Sequence, residues 1–279
     1  YQRVGYFANE TRAPFLEIQK LLYRAAQEVG LPHVNDLMAL AVEGYGKTIG
    51  TVDQGVRQNA ARSYLSPIRN RKNLYLLKDT HVTKILINEH KQAYGVIARK
   101  NNEYVNLMAT KEVIVSAGAI NSPQLLMLSG IGPKKHLQEF GVKVVQDLKV
   151  GFNLQDHLGF YGAIFTYDHP SEPPPQFGPL SQMDSFYNYL TKRTAELGTP
   201  AGQDVTYFYD STRKIPTFPD LQFGFNILRG RSPDITAMGA TLRLKPEIVN
   251  AYMNVNSDYI VRPIIVILRP SIFGRVYLK

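Results

Sequence analysis

Residues 112–132 run from a short apolar stretch through four small residues into an apolar helix-like segment, and few structures accommodate such an order. Glu112-Val-Ile-Val115 reads as a buried strand bounded by a break signal. Ser116, Ala117, Gly118 and Ala119 follow, small enough for the backbone to approach another surface closely. Ser122 is a good N-cap and Pro123 a good first helical residue, which predicts a helix start there. Leu125, Leu126 and Leu128 supply its apolar face, and Gly130, Gly132 and Pro133 end it. A strand that turns through small residues into a helix leaves backbone N–H groups free where a phosphate can sit. The unit is therefore a candidate cofactor cradle, set against the plainer reading of small residues that only pack.

The same residues resemble the second signature of the glucose-methanol-choline (GMC) family of FAD-dependent oxidoreductases. That signature asks for Gly, a small residue, Ser-Pro after two free positions, an aliphatic pair, then Ser-Gly-aliphatic-Gly. Gly118, Ala119, Ser122, Pro123, Leu125, Leu126, Ser129, Gly130, Ile131 and Gly132 meet it position for position. Other family landmarks surround it in order. Gly55-x-Arg57, Tyr64-Leu65-x-Pro67 and Arg71-x-Asn73-Leu74 are similar to the stretch leading into a strand on the adenine side of FAD. Asn73–Ile87 resembles that strand pair, with Val82 where the family has a backbone contact to the adenine, and Gly151-Phe-Asn-Leu-Gln-Asp-His157 matches Gly-x-Asn-Leu-x-Asp-His. The resemblance is dense from about residue 40 to 160 and thin afterwards, and insect glucose dehydrogenase-like members are similar in texture.

The resemblance implies FAD as cofactor, with Val82, Ser116, Ala117, Gly118, Ser122 and Asn153 as cofactor-binding residues. It implies an α/β fold, α+β overall: a Rossmann-like FAD-binding half-domain at residues 55–157, a substrate-side segment at 1–54, and part of an antiparallel-sheet substrate domain at 158–279. It also implies oxidation of the CH–OH group of an alcohol or sugar, with hydride passing to flavin N5. Two family features are absent. No Gly-x-Gly-x-x-Gly fingerprint occurs, and the family's catalytic His lies in a C-terminal region that has no counterpart before Lys279. The expectation is a central fragment of a longer enzyme, inactive alone and without catalytic residues of its own. His157 is positional in the family motif, and none of the six histidines stands at metal-ligand spacing.

The chain carries a net charge of +9, which raises nucleic acid as a partner. The one dense basic patch, Arg69-Asn-Arg-Lys72 near Tyr64 and Tyr75, reads as a solvated loop, since basic residues are otherwise scattered. Gly44-Tyr-Gly-Lys-Thr48 is similar to the end of a P-loop, but Ala41 stands where the phosphate-cradling loop needs its first Gly. No apolar run approaches the ~18 residues of a membrane span. A small-molecule alcohol or sugar is the expected partner, with no nucleic acid, metal or transmembrane segment. The absence of Cys and the lone sequon at Asn9-Glu10-Thr11 leave the compartment open.

Periodicity predicts a helix over Pro14–Gly30 through Phe15, Ile18, Leu21, Leu22, Ala25 and Val29. Strands are expected at 74–77, 82–87, 93–99, 105–109 and 113–116, with 82–109 as a meander, and a short helix over Pro133–Phe140. Beyond the proline-rich Pro170–Pro179, a helix over Ser181–Glu196 and strands at 221–228, 263–268 and 274–278 form a separate sheet region. A second reading competes with the enzyme. Ser271-Ile-Phe-Gly274 replaces the family's Ser-Arg-Gly, and Asn59 and Ser63 stand where Ser and Ala are usual. A non-catalytic remnant or binding protein would show such departures.

Overall fold

The computed structural model describes residues 9–10, 17–37, 43–48, 50–168, 179–193, 203–212, 218–230 and 233–279. They form two compact units, one of residues 1–71 and 157–269, the other of residues 72–156 and 270–279.

The first unit is built on an antiparallel sheet in the order Leu158–Phe160, Tyr259–Ile267, Leu221–Arg229, Gln203–Tyr209, Gly44–Lys47, with Phe165–Tyr167 also pairing along Tyr259–Ile267. Its two long strands are rich in β-branched and aromatic residues, which suit a pleated, buried surface. They pair without a slip from Leu221↔Ile267 to Arg229↔Tyr259. Alternation then sorts the side chains. Val205, Tyr207, Phe225 and Val261 fill one face together with Tyr45 and, from the helix Glu17–Glu28, Ile18 and Ala26. On the opposite face Ile260 packs with Ile235 and Tyr252 of the helices Pro233–Leu242 and Pro246–Met253. The helix over Glu17–Glu28 buries Ile18 of the predicted stripe together with Gln19 and Ala26, which lie outside it. Leu21 and Val29 are exposed, because the packed face follows Ile18, Leu22 and Ala26 at four-residue steps. Phe15 lies outside the described residues, as does most of Pro170–Pro179.

Tyr207 crosses the core to donate its hydroxyl to the Leu22 carbonyl, tying sheet to helix. Burial, reinforced by the neighbouring phenols of Tyr45 and Tyr23, pushes its ionisation far above the usual tyrosine range, and burial, with Tyr45 beside it, also raises Tyr23. A group whose folded-state pKa is raised contributes stability that is whole below the unfolded value and is lost as pH climbs past it. Denaturation midpoints should therefore fall once pH exceeds about 10. Tyr207→Phe should flatten that alkaline limb while lowering the midpoint at neutral pH. An unchanged alkaline limb in the variant would remove Tyr207 as its source.

The second unit contains the expected meander as Thr80–Ile87, Ala93–Lys100 and Glu103–Met108, antiparallel throughout. Two helices follow, Gly118–Leu128 and Lys134–Glu139. Ile131–Gly132 pairs in parallel with Gln146–Asp147, and Phe152–Leu154 pairs antiparallel with Gly274–Arg275. Three expectations need correction here. Leu74–Leu77 is not a strand, and Tyr75 is 85% exposed. Val113–Val115 alternates in exposure as a strand would, yet has no ladder partner among the described residues. Gly274–Arg275 joins the short ladder with Phe152–Leu154 instead of the large sheet, because Gly151, at φ +85°, turns its carbonyl to accept from the Val276 N–H at 2.8 Å. The mixed α/β class with an antiparallel sheet is otherwise the architecture expected. No helix among the described residues is long and apolar enough to cross a membrane.

Candidate functional site

The corner at residues 116–122 opens the helix Gly118–Leu128. Ala117 caps that helix, five residues before the predicted cap at Ser122. The local Ser-Pro pair is a cap signal, but Gly118 at φ +92° has already made the turn. Pro123 therefore sits inside the helix. Ser122 acts in the opposite direction to an N-cap, its Oγ accepting from the Ala117 N–H at 3.0 Å. The N–H groups of Gly118, Ala119 and Ile120 have no acceptor within the helix, as in any first turn. Residues 116–121 are all exposed. An added Cβ on Gly118 meets no protein atom within 4 Å, so the space in front of the corner is open.

The far end of the helix is anchored. Ser129 Oγ donates to the Leu125 carbonyl at 2.6 Å and accepts the Ile85 N–H at 2.8 Å, which fixes the helix to the strand Thr80–Ile87. Met127 beneath is fully buried. Val82 lies on that strand, where the pairing Val82↔Ala98 is followed by Lys84↔Ile97. Thr83 is thus the extra residue of a bulge, which interrupts the ladder and frees backbone groups beside Val82. Asn153 is exposed and left-handed at φ +66°, between the paired positions Phe152 and Leu154. A Cβ on neighbouring Gly151 would lie 3.6 Å from Met127 Cε, so this turn rests on the same buried methionine.

All six predicted residues therefore lie in the second unit. Ser116, Ala117, Gly118 and Ser122 form one corner, whereas among the described residues no hydrogen bond joins Val82 or Asn153 to it directly. The helix start, the bulge at Thr83 and the left-handed turn at Asn153 are three separate features of that unit. Two of the described histidines are engaged in structural contacts. His136 Nε2 accepts the Leu278 N–H at 3.0 Å, and His33 stacks between Tyr23 and Tyr45. No group of residues with metal-binding geometry occurs among the described residues. Sequence reasoning missed the π-helical turn Ala61–Leu65 and the buried Arg262. The turn has no periodicity to read, and a strand position cannot reveal that an arginine on it is buried.

The GMC oxidoreductase family model matches residues 8–159, more than half of the chain. Human mitochondrial choline dehydrogenase is 40% identical over 202 residues, covering 72% of this chain and 33% of that protein. The glucose dehydrogenase [FAD, quinone] of Drosophila pseudoobscura pseudoobscura is 36% identical over 209 residues, covering 73% and 32%. Ecdysone oxidase of Bombyx mori is 32% identical over 270 residues, covering 96% and 39%. The chain thus spans about a third of the length of such relatives. Among solved structures, an Aspergillus oryzae RIB40 formate oxidase superposes with a TM-score of 0.76 at 20% identity, over 97% of this chain and 48% of its own. A Chaetomium thermophilum FAD-dependent oxidoreductase does so at 0.71 and 23%, over 96% and 50%. Family model, curated relatives and fold agree with the signature at Gly118–Gly132, and the chain belongs to the GMC oxidoreductase family.

Proposed function

We propose that this chain is part of an FAD-dependent oxidoreductase acting on the CH–OH group of a small-molecule donor, an alcohol or a sugar. The observation that carries this reading is the exposed corner at Ser116–Ser122, with its free first-turn N–H groups and open space before Gly118. We assign residues 55–157 to the FAD side and residues 1–54 and 158–279 to the substrate side. Ala117 and Gly118 bring backbone close to the dinucleotide, Ser122 fixes the peptide that presents them, Val82 offers backbone groups to the adenine, and Asn153 contributes its amide from a left-handed turn. Bound FAD supplies the two-electron acceptor for converting the alcohol to a carbonyl. The protein's task on this unit is orientation and exclusion of water, and the catalytic proton transfer is assigned to no residue of this chain.

The test is direct. The purified protein carrying this chain, loaded with FAD, is mixed anaerobically with a panel of primary alcohols, secondary alcohols and aldoses. Bleaching of the oxidised flavin band by at least one donor is expected. A fully FAD-loaded protein that none of these donors reduces would leave the remnant or binding-protein reading in place.

A further inference from the structure

Arg262 stands in the middle of the long strand Tyr259–Ile267 and is only 3% exposed. Directly across the ladder is Asn226, whose Oδ1 accepts from Arg262 Nη2 at 2.7 Å. The guanidinium also lies 5.4 Å from the centre of the Tyr161 ring. Its Nε and Nη1 have no hydrogen-bond partner, and no ion pair to it occurs among the described residues. A buried cation with open donors is strongly unfavourable unless an acceptor arrives. Arginine keeps its charge and has no neutral form to fall back on. The group is held on a rigid strand, not on a loop, so it is oriented before any ligand binds.

We propose that Arg262, oriented by Asn226, binds the carboxylate of a small-molecule ligand. The planar, anionic carboxylate supplies both the countercharge and the two-oxygen geometry a guanidinium fork matches. The same buried charge repels cationic ligands, so a quaternary ammonium alcohol is excluded from this position. The inference stands on the first unit alone and does not depend on the flavin reading.

The experiment uses the whole chain with sodium acetate as probe, and sodium chloride at equal ionic strength and acetamide as controls. Acetate is expected to raise the unfolding temperature saturably, as ligand binding to the folded state requires, while chloride and acetamide do not. Arg262→Met should weaken acetate at least about tenfold, in keeping with the loss of charge-assisted hydrogen bonds. Asn226→Asp tests the idea without removing the arginine. It places a carboxylate across the ladder, so the variant should melt higher than wild type and lose its response to acetate. Equal responses to acetate and either control, or an acetate response kept in both variants, would overturn the site. Loss of acetate binding would leave the flavin assignment untouched, and a failed flavin assignment would leave an acetate response standing.

Discussion

Gly118→Val is expected to yield a folded protein that no longer retains flavin. At φ +92° the position lies in the left-handed region, where a β-branched side chain costs about 1–3 kcal/mol. That is the whole expected penalty to the fold, because the new Cβ meets no protein atom within 4 Å. The open space it enters is the space assigned to the dinucleotide. Displacing the ligand from two or three first-turn donors forfeits about 1.5–3 kcal/mol for each charge-assisted bond, so affinity should fall by two or more orders of magnitude. Fold and binding are therefore separable. The variant should show a modest drop in denaturation midpoint, with flavin content near zero after gel filtration. Flavin retained at wild-type stoichiometry would show that the corner does not face the cofactor. Gly118→Ala places a smaller group in the same space and should retain an intermediate fraction.

Much of this corner was legible in the sequence because its constraints are local. Four small residues, a Ser-Pro pair and two closing glycines dictate a turn into a helix whatever surrounds them. The error of five residues in the helix start arose because the cap chemistry of Ser122 is real but is used backwards, toward Ala117. The meander was legible for the same reason, through alternation and polar turns. What stayed hidden depends on partners distant in the chain. Val113–Val115 has the composition of a central strand, but pairing is a property of two segments. Gly274–Arg275 looked like a continuation of the large sheet until its partner proved to be Phe152–Leu154. The helices Pro233–Leu242 and Pro246–Met253 were missed although Pro246 sits at a helix start, a position where proline is favoured. Over Pro179–Lys192 the helix was foreseen, yet its large apolar residues Phe186 and Leu190 are exposed. Periodicity identifies a helix more securely than it identifies what the helix packs against.

The candidate site should also depend on a residue that cannot touch the ligand. Met127, in the last turn of the helix that carries the corner, is fully buried, and Gly132 and Gly151 lie against it. A Cβ on Gly132 would come within 2.9 Å of Met127 Cγ and 3.4 Å of a Leu137 methyl, so this glycine is set by the volume of the methionine. Gly132 shows no left-handed φ, so alanine is excluded there by space and not by backbone conformation. Met127→Ala should cost about 2–5 kcal/mol through lost burial and the cavity left behind. Gly132→Ala alone should cost about 1–3 kcal/mol by overpacking. The two changes share one space, so the double variant should be more stable than the sum of the single effects implies, with a coupling of roughly 0.5–3 kcal/mol. Denaturant midpoints at constant m-value measure all three proteins. Flavin affinity should follow the same order, falling in Met127→Ala and partly recovering in the double variant, because buried Met127 and the Ser129 bridge to Ile85 both anchor the end of the helix that carries the corner. Strictly additive losses would mean that the methionine and the glycine do not compete for one volume. Flavin affinity unchanged in Met127→Ala would mean that the corner keeps its geometry without support from below.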